Sequence, residues 1–406
     1  MTECLSAAVL ARELAAKATA AGADDVRIWV QDSCSVEYRT SYDDAVTQRS
    51  GTHRRVTVAL RLGVRWITEL TEGAAALGTV PPAPSSAQPA EQVRQTVLDP
   101  GTGRCCPEVL GAEYQQTVTS VTVLVGTELT EWQHTHRRLW HWVSGTGGNH
   151  LEGMVTWGDQ WPDPAVLRAQ RGALLTVRDT GGPLHGRMPV LLQPCVAMHL
   201  VDLLASMLNG RNALTGMQML RERVGRRIAA PAVTVVDDGG PDGPYGALVD
   251  DEGVPTGRNV LVESGILRGF LHSRATAAAC ATPPNGCAVR SLPGGPVGPG
   301  VRGFALLPGV EQQLRERLGT GLEAVAVSRP AVRGAGGKRI RLEVFGWLVR
   351  DGQRDRPVGP VPLEVGLFGW LRSILACGPS LHHSAVFRGL AAPAVLLSEV
   401  AVGRAG

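Results

Sequence analysis

The stretch from Val233 to Leu271 constrains this chain more than any other part of it. It reads VTVVDDGGPDGPYGALVDDEGVPTGRNVLVESGILRGFL. A buried strand ends in the paired aspartates Asp237 and Asp238 and runs into a glycine-rich turn. A second acidic turn follows at Asp250-Asp251-Glu252-Gly253-Val254-Pro255-Thr256. A strand, turn, strand pattern then passes through Glu263-Ser264-Gly265 to Gly269-Phe270-Leu271. Reversals this dense predict a strand-rich chain rather than a helical bundle. Composition agrees, because 50 of the 406 residues are glycine, against a usual ~7%.

Lysine plus arginine is 40 and aspartate plus glutamate is 37, a net charge of +3. So balanced a charge argues against a dedicated nucleic-acid binder, whose basic footprint would dominate. At 44% hydrophobic residues, the chain can build cores, and widespread disorder is not expected. No run approaches the ~18 apolar residues of a membrane span. Glu3, Arg12 and Glu13 interrupt the alanines and leucines at the start, which reads as an amphipathic helix and not a secretory signal. Cysteines fall at 4, 34, 105, 106, 195, 280, 287 and 377 with no CxxC pair. They read as reduced, mostly buried thiols of a cytoplasmic protein, with a disulfide scaffold the weaker alternative.

The apolar spacing of Leu5, Val9, Leu10, Leu14 and Ala18 predicts a helix that stops near Gly22. Strands are expected at Val26–Gln31, Ser35–Thr40, Val56–Leu62 and Tyr114–Val125, and a loop or linker at Thr79–Pro89. Helix followed by strands reads as an α+β layer. Two domains are the default at this length: an N-terminal α+β unit, 1–186, and a C-terminal β-rich unit, 187–406. In the second, Val196, Leu200, Leu203, Leu204, Met207 and Leu208 mark a helix ended by Asn209-Gly210. Further helices are expected at Met217–Arg227, around Leu314 and Leu318, and at Trp370–Ala376. Strands are expected at Pro231–Val236, Val260–Leu267, Val325–Val327, Ile340–Val349, Pro362–Val365 and Ala394–Val402.

The segment from Trp132 to His150 is rich in tryptophan and histidine. On a strand His134 and His136 share one face and His141 takes the other. Only Glu131 and Glu152 stand nearby as further ligands, so exposed imidazoles on a tryptophan-rich strand pair is the preferred reading over a metal site. The Gly294–Gly303 loop lacks a following Gly-Lys-Ser/Thr, and Ser144–Gly148 is no nucleophile elbow.

The order and spacing of the three features between Val233 and Leu271 resemble the TldD/PmbA family, also called the TldD/TldE or modulator-of-DNA-gyrase family. There a strand ending in DD, a DDEGxPT turn and a hairpin form the core signature. GADDVRIWV and LRLGVRW near the start, Arg226–Pro231, Leu306–Gly309 and Gly389–Leu397 are also similar to the family's pattern. The resemblance implies the same two-domain α+β architecture. In TldD-type members the helix after the domain boundary carries HExxxH. Its two histidines and a distant cysteine bind zinc, and the glutamate serves as base. Here that helix, Cys195–Leu208, has one histidine, His199, and no glutamate.

The resemblance therefore implies a TldE (PmbA) type chain with no catalytic residue and no metal of its own. Zinc is expected in a TldD-type partner, in a hollow heterodimer, with a homodimer as the alternative. Peptides or unfolded polypeptides are the expected substrates, possible roles including peptide natural-product maturation. Candidate groove or partner residues are His199, Asp250, Asp251, Glu252 and Gly253. The plainer reading of His199 is a surface or inter-subunit histidine, although Asp202 at i,i+3 could share a ligand with it. The plainer reading of the acidic turn is a tight loop with Gly253 at positive φ and Pro255 stiffening its exit. Cys377 reads as a buried thiol. The competing functions are a stand-alone tailoring enzyme and a peptide-binding protein that reuses the same cavity.

Overall fold

The computed structural model describes residues 6–40, 46–62, 65–73, 110–144, 150–157, 174, 176–177, 181–215, 218–241, 243, 245–290, 297–333, 339–366, 368–384, 387 and 389–403. Along parts of the first sheet it describes the backbone alone. The Thr79–Pro89 segment lies outside the described residues.

Helix α1 (Ala7–Ala20) starts at Ser6, whose hydroxyl accepts the Val9 N–H, and ends before Gly22 at φ +91°. Six strands follow: β1 (Asp25–Thr40), β2 (Val46–Leu62), β3 (Arg65–Gly73), β4 (Leu110–Val125), β5 (Glu128–Ser144) and β6 (His150–Trp157). They form one antiparallel sheet in the order β3-β2-β1-β4-β5-β6. The two strands expected at 26–31 and 35–40 are one continuous strand, because Gln31 to Cys34 keep their pairing with both β2 and β4. Alternation sorts β1 into two faces. Val26, Ile28 and Val30 pack with Leu124 under Ala11 and Ala18 of α1, whose small side chains allow close approach. Trp29 points the other way, onto Val121, Val123 and Val249. The sheet is thus covered on both sides near its middle. Further along the helix-facing register, Asp32 and Arg54 form a buried two-pronged pair, with Nε–Oδ1 and Nη2–Oδ2 both 2.6 Å.

The second half opens with β7 (Gly186–Leu192) and α2 (Pro194–Met207), where Pro194 sits at the first helical position after an extended Gln193. Two short helices come next, α3 (Gly210–Thr215) and α4 (Gln218–Arg221). The single helix expected over Met217–Arg227 is therefore corrected. The chain leaves α4 through i,i+3 turns, with Gly225 at φ +80°, and then bonds to Gly265 and Leu267 of the hairpin in place of continuing the i,i+4 ladder. Then come β8 (Val235–Asp238), β9 (Arg258–Glu263), β10 (Ile266–Leu267), α5 (Arg274–Ala279), β11 (Ala288–Arg290), β12 (Val297–Pro299), β13 (Phe304–Leu306), α6 (Leu314–Leu318), β14 (Gly321–Arg333), β15 (Arg339–Arg350) and β16 (Gln353–Gly366). The chain closes with α7 (Gly369–Ser373), β17 (Ile374–Cys377), β18 (His382–His383), β19 (Leu390–Ala392) and β20 (Val395–Val402). The helix expected to reach Ala376 stops at Ser373, because Ile374 to Cys377 pair with β20.

Five strands close a small barrel. β7 pairs parallel with β14, β14–β15–β16 run as an antiparallel meander, β16 meets β20 at Leu363 and Glu364, and β20 returns to β7. A second sheet runs β10-β9-β8-β13-β19-β18. Helix α2 packs on β7 and β14 of the barrel and on β13 and β19 of the second sheet. One apolar core joins all three, with Val196, Leu200 and Leu204 beside Leu192, Ala324, Phe304 and Ala392. Strand β6 of the first sheet touches α2, β14 and β18.

Removing one partner from a buried ion pair takes away the neutralisation that offset the other's desolvation. Asp32→Ala is expected to lower stability by roughly 3 kcal/mol in urea denaturation, and Asp32→Leu with Arg54→Met to recover most of that loss. Equal losses in both variants would contradict this account of the pair.

Candidate functional site

The acidic turn is organised by Asp250, which is 1% exposed. Its Oδ1 accepts the N–H groups of Glu252 and Val254, both at 2.9 Å, and Oδ2 accepts the Ala288 N–H at 2.9 Å. Burial pushes its carboxyl up, against the pull of these three backbone donors. Asp251 accepts from Arg302 Nη2 at 3.1 Å. Glu252 Oε2 accepts the N–H of Arg274, the first residue of α5, at 2.6 Å, a carboxylate on a helix start. Its carboxyl is raised, chiefly by burial. Gly253 has φ +75°, and its carbonyl accepts from Arg27 Nη1 of β1 at 2.7 Å. A Cβ there would come within 2.5 Å of the Trp29 ring. The four predicted turn residues thus stand together, each engaged by this chain, and the turn is the seat on which β1 of the first sheet rests.

Asp237, at the end of β8, is tied into the same region. Its Oδ1 accepts the N–H groups of Arg302 and Gly303 at 3.0 Å each, and Oδ2 faces the Cys287 thiol at 3.6 Å. Burial raises the Asp237 carboxyl and pushes the Cys287 thiol well above its ordinary value.

His199 stands on a separate element, α2, edge-on to Phe387 with centroids 4.8 Å apart. Burial lowers its pKa to about 4, so the imidazole is neutral at pH 7. Asp202, one turn on, has its carboxyl raised by burial. Leu200 and Leu204 are in the core at 1% and 0% exposure. Cys377 is buried on β17 with its thiol pushed up to about 11. A catalytic zinc takes three protein ligands and needs anionic or neutral donors converging on one point. Among the described residues no group of three or more histidines, cysteines or carboxylates is so arranged, and α2 offers one imidazole amid leucines. The residues described do not fit a resident zinc. His134, His136 and His141 fall in β5, opposite Thr119, Thr117 and Ala112 of β4. Their side chains lie outside the described residues, as do residues 145–149.

A cavity of about 380 Å³ opens where α2 begins, lined among others by Gln193, Leu314, Arg315, Gln353, Ser380 and His382. Behind it Glu323 of β14 is fully buried and held by five donors. Arg315 gives Nε and Nη2 at 3.0 and 3.1 Å, Arg354 gives Nε and Nη2 at 2.8 and 3.0 Å, and Gln193 Nε2 bonds at 2.8 Å. Burial alone would raise the Glu323 carboxyl. Hydrogen bonds from Arg354 and Arg315 outweigh it and hold the pKa at about 2. The Arg354 guanidinium also lies 5.4 Å over the Trp347 ring. Sequence reasoning passed over this cluster. Its one signal was a glutamate inside the apolar run Leu322–Val327, a charge at a position that alternation buries.

Residues 185–404, more than half of the chain, match the profile of the PmbA/TldA metallopeptidase C-terminal domain. A metalloprotease of Methanocaldococcus jannaschii is 32% identical over 114 residues, 28% of this chain and 25% of that protein. A metalloprotease TldD homolog of Haemophilus influenzae is 34% identical over 120 residues, 28% of this chain and 24% of that protein. The chain thus spans about a quarter of the length of the curated relatives it matches. In three dimensions, TldE from Thermococcus kodakarensis superposes with a TM-score of 0.76 at 14% identity, covering 97% of this chain and 100% of that one. A Thermotoga maritima protein described as a candidate modulator of DNA gyrase gives 0.78 at 17% identity, covering 97% and 99%. Both likenesses concern the fold.

Two outcomes test the site's architecture. Gly253→Ala, strained at positive φ and pressed against Trp29, is expected to cost roughly 1–3 kcal/mol of stability, while Gly257→Ala, which meets nothing within 4 Å, stays near neutral; thermal melts of both variants check this. The pH response follows from His199 and Glu323. The folded-state pKa of His199 lies below its unfolded value of 6.5, so its contribution is complete above 6.5 and is lost as pH falls toward 4. Glu323 behaves alike between its ordinary 4.5 and about 2. The His199 contribution should therefore be lost progressively below pH 6.5, and the melting temperature of His199→Phe should fall less, or rise more, than that of the parent between pH 7 and 5. An unchanged slope in the variant would remove His199 from the explanation.

Proposed function

The chain belongs to the TldD/PmbA metallopeptidase family, and from that membership we propose that it is the TldE-type subunit of a two-chain zinc peptidase, carrying no metal itself. The observation that carries this reading is α2: it keeps one histidine, and at the positions one and five residues after it stand Leu200 and Leu204, committed to the core. The zinc would then reside in a TldD-type partner, joined as a heterodimer in the cytoplasm, and the pair would cut peptides or unfolded polypeptides. The fold-level likeness to TldE from Thermococcus kodakarensis supports the assignment. Within it we place the seam between the two domains at Gly186. The turn Asp250–Gly253 then acts by shape, seating the first sheet against the second half, and His199 lends a neutral ring edge to the wall. A second reading, a chain that captures peptides without a partner, is favoured by the cavity beside Arg315.

Elemental analysis and peptide cleavage, on the isolated chain and after co-expression with a TldD-type chain, test the proposal. The isolated chain should hold far less than one zinc and cleave nothing. A stable complex should hold zinc and cleave. Stoichiometric zinc with cleavage by this chain alone, or no association with any TldD-type chain, would overturn it.

A further inference from the structure

We propose that the cavity at the start of α2 binds the C-terminal carboxylate of a short peptide, with Arg315 as the recognition residue. The inference deepens the peptide-handling reading above and rests on it. It begins with a charge balance. Glu323 is one anion held by two guanidinium groups and an amide, so the cluster carries one surplus positive charge. Arg315 spends two of its five N–H groups on Glu323, is among the residues that line the cavity, and keeps 42% of its side chain exposed. The buried carboxylate therefore fixes the orientation of a cation that stands in the cavity wall with three N–H groups not spent on Glu323. That is the preorganisation that two-pronged carboxylate recognition requires.

The rest of the wall fits one peptide end and little else. Of the two carboxylates in the lining, Glu311 is spent on Arg317 at 2.9 Å and on the Gln313 N–H at 3.2 Å. Glu316 is exposed at the solvent edge. His382 has its pKa lowered by burial and adds no charge. Gln353 and Ser380 offer an amide and a hydroxyl for peptide groups, and Leu191 and Leu314 give an apolar floor for one side chain. A volume of about 380 Å³ is at the small end of the roughly 300–1,000 Å³ typical of ligand pockets, the scale of a terminal residue and its neighbour. A folded protein surface would not enter it.

The test is calorimetric titration of the full chain with Ala-Ala-Leu as the free acid and as the C-terminal amide. Saturable binding of the acid is expected, with the amide at least tenfold weaker. Arg315→Gln should abolish the difference. Ser380→Trp, a change at an exposed rim position that touches no ion pair, should block the acid while leaving the melting temperature unchanged, so that the result does not depend on the arginine variant folding. Equal affinity for acid and amide, a preference that survives Arg315→Gln, or no saturable binding at millimolar peptide would overturn the proposal. So would equal competition by sodium acetate, which would mark a site for any small carboxylate. Because binding is read on the isolated chain without cleavage, its failure is separable from failure of the subunit assignment: a chain that pairs and supports cleavage but ignores the carboxylate loses this proposal alone.

Discussion

The carboxylate of Asp250 is the bond on which the rest of the arrangement hangs. A buried anion is unfavourable unless its lone pairs are filled, and here three backbone N–H groups fill them. Two of those donors lie within the turn and force its shape. The third, from Ala288, ties the turn to β11. Everything nearby is referenced to that loop. Glu252 is aimed at the start of α5, Asp251 at Arg302, and the Gly253 carbonyl at Arg27 of the first sheet. Arg302 in turn brings its backbone onto Asp237 at the end of β8. One satisfied carboxylate thereby connects the second sheet, the short helix α5 and the first sheet through polar contacts whose geometry has little slack.

Glu323 plays the corresponding part in the barrel, at a different expense. It sits where β14 is paired on one side with Leu191 of β7 and on the other with Trp347 of β15, so no backbone donor is left over for its side chain. The anion is satisfied entirely by side chains, from α6, from β16 and from the residue that precedes α2. Buried ion pairs often gain little over apolar packing. What this one gains is placement: it fixes α6 against the barrel and leaves Gln193 unable to cap α2, whose start therefore relies on Pro194 for its geometry.

The sequence made the periodic parts legible. α1, with Gly22 as its stop, the alternating β1, the hairpin around Ser264-Gly265 and the closing strand all follow from local chemistry, and Ser264 and Gly265 both take positive φ as a two-residue hairpin turn requires. What failed was decided by distant partners. Ile374 to Cys377 look helical by composition, but β20 offers them a ladder. Arg223 to Arg227 look like the end of a helix, but Leu267 accepts the Gly225 N–H and Gly265 those of Ile228 and Ala229. Helix α5 escaped notice because its capping box, Ser273 with Thr276, uses a threonine where glutamate or glutamine is the usual signal. Closure of the barrel through β16 and β20 joins residues almost forty positions apart at Leu363 and Val402, and no local pattern announces it. Of the predicted site, the acidic turn was recognisable as a unit because its glycine and proline fix it locally. The Glu323 cluster was not, because its five donors come from three separate elements.

A helix cannot both present ligands to a cavity and fill a core on several sides. Eight of the fourteen residues of α2 are buried, in contact with the barrel on one side and with β13 and β19 on the other. Any polar group placed at Leu200 or Leu204 would be drawn out of water among apolar neighbours with no donor to meet it. Packing energy therefore favours leucine at those positions, and His199 stands beside them as a neutral ring against Phe387. Polar chemistry lies instead beside the start of α2, where Gln193 is drawn off by Glu323 and Arg315 of α6 lines the cavity. The packing that commits the middle of this helix to the core leaves its beginning as the part that borders a cavity.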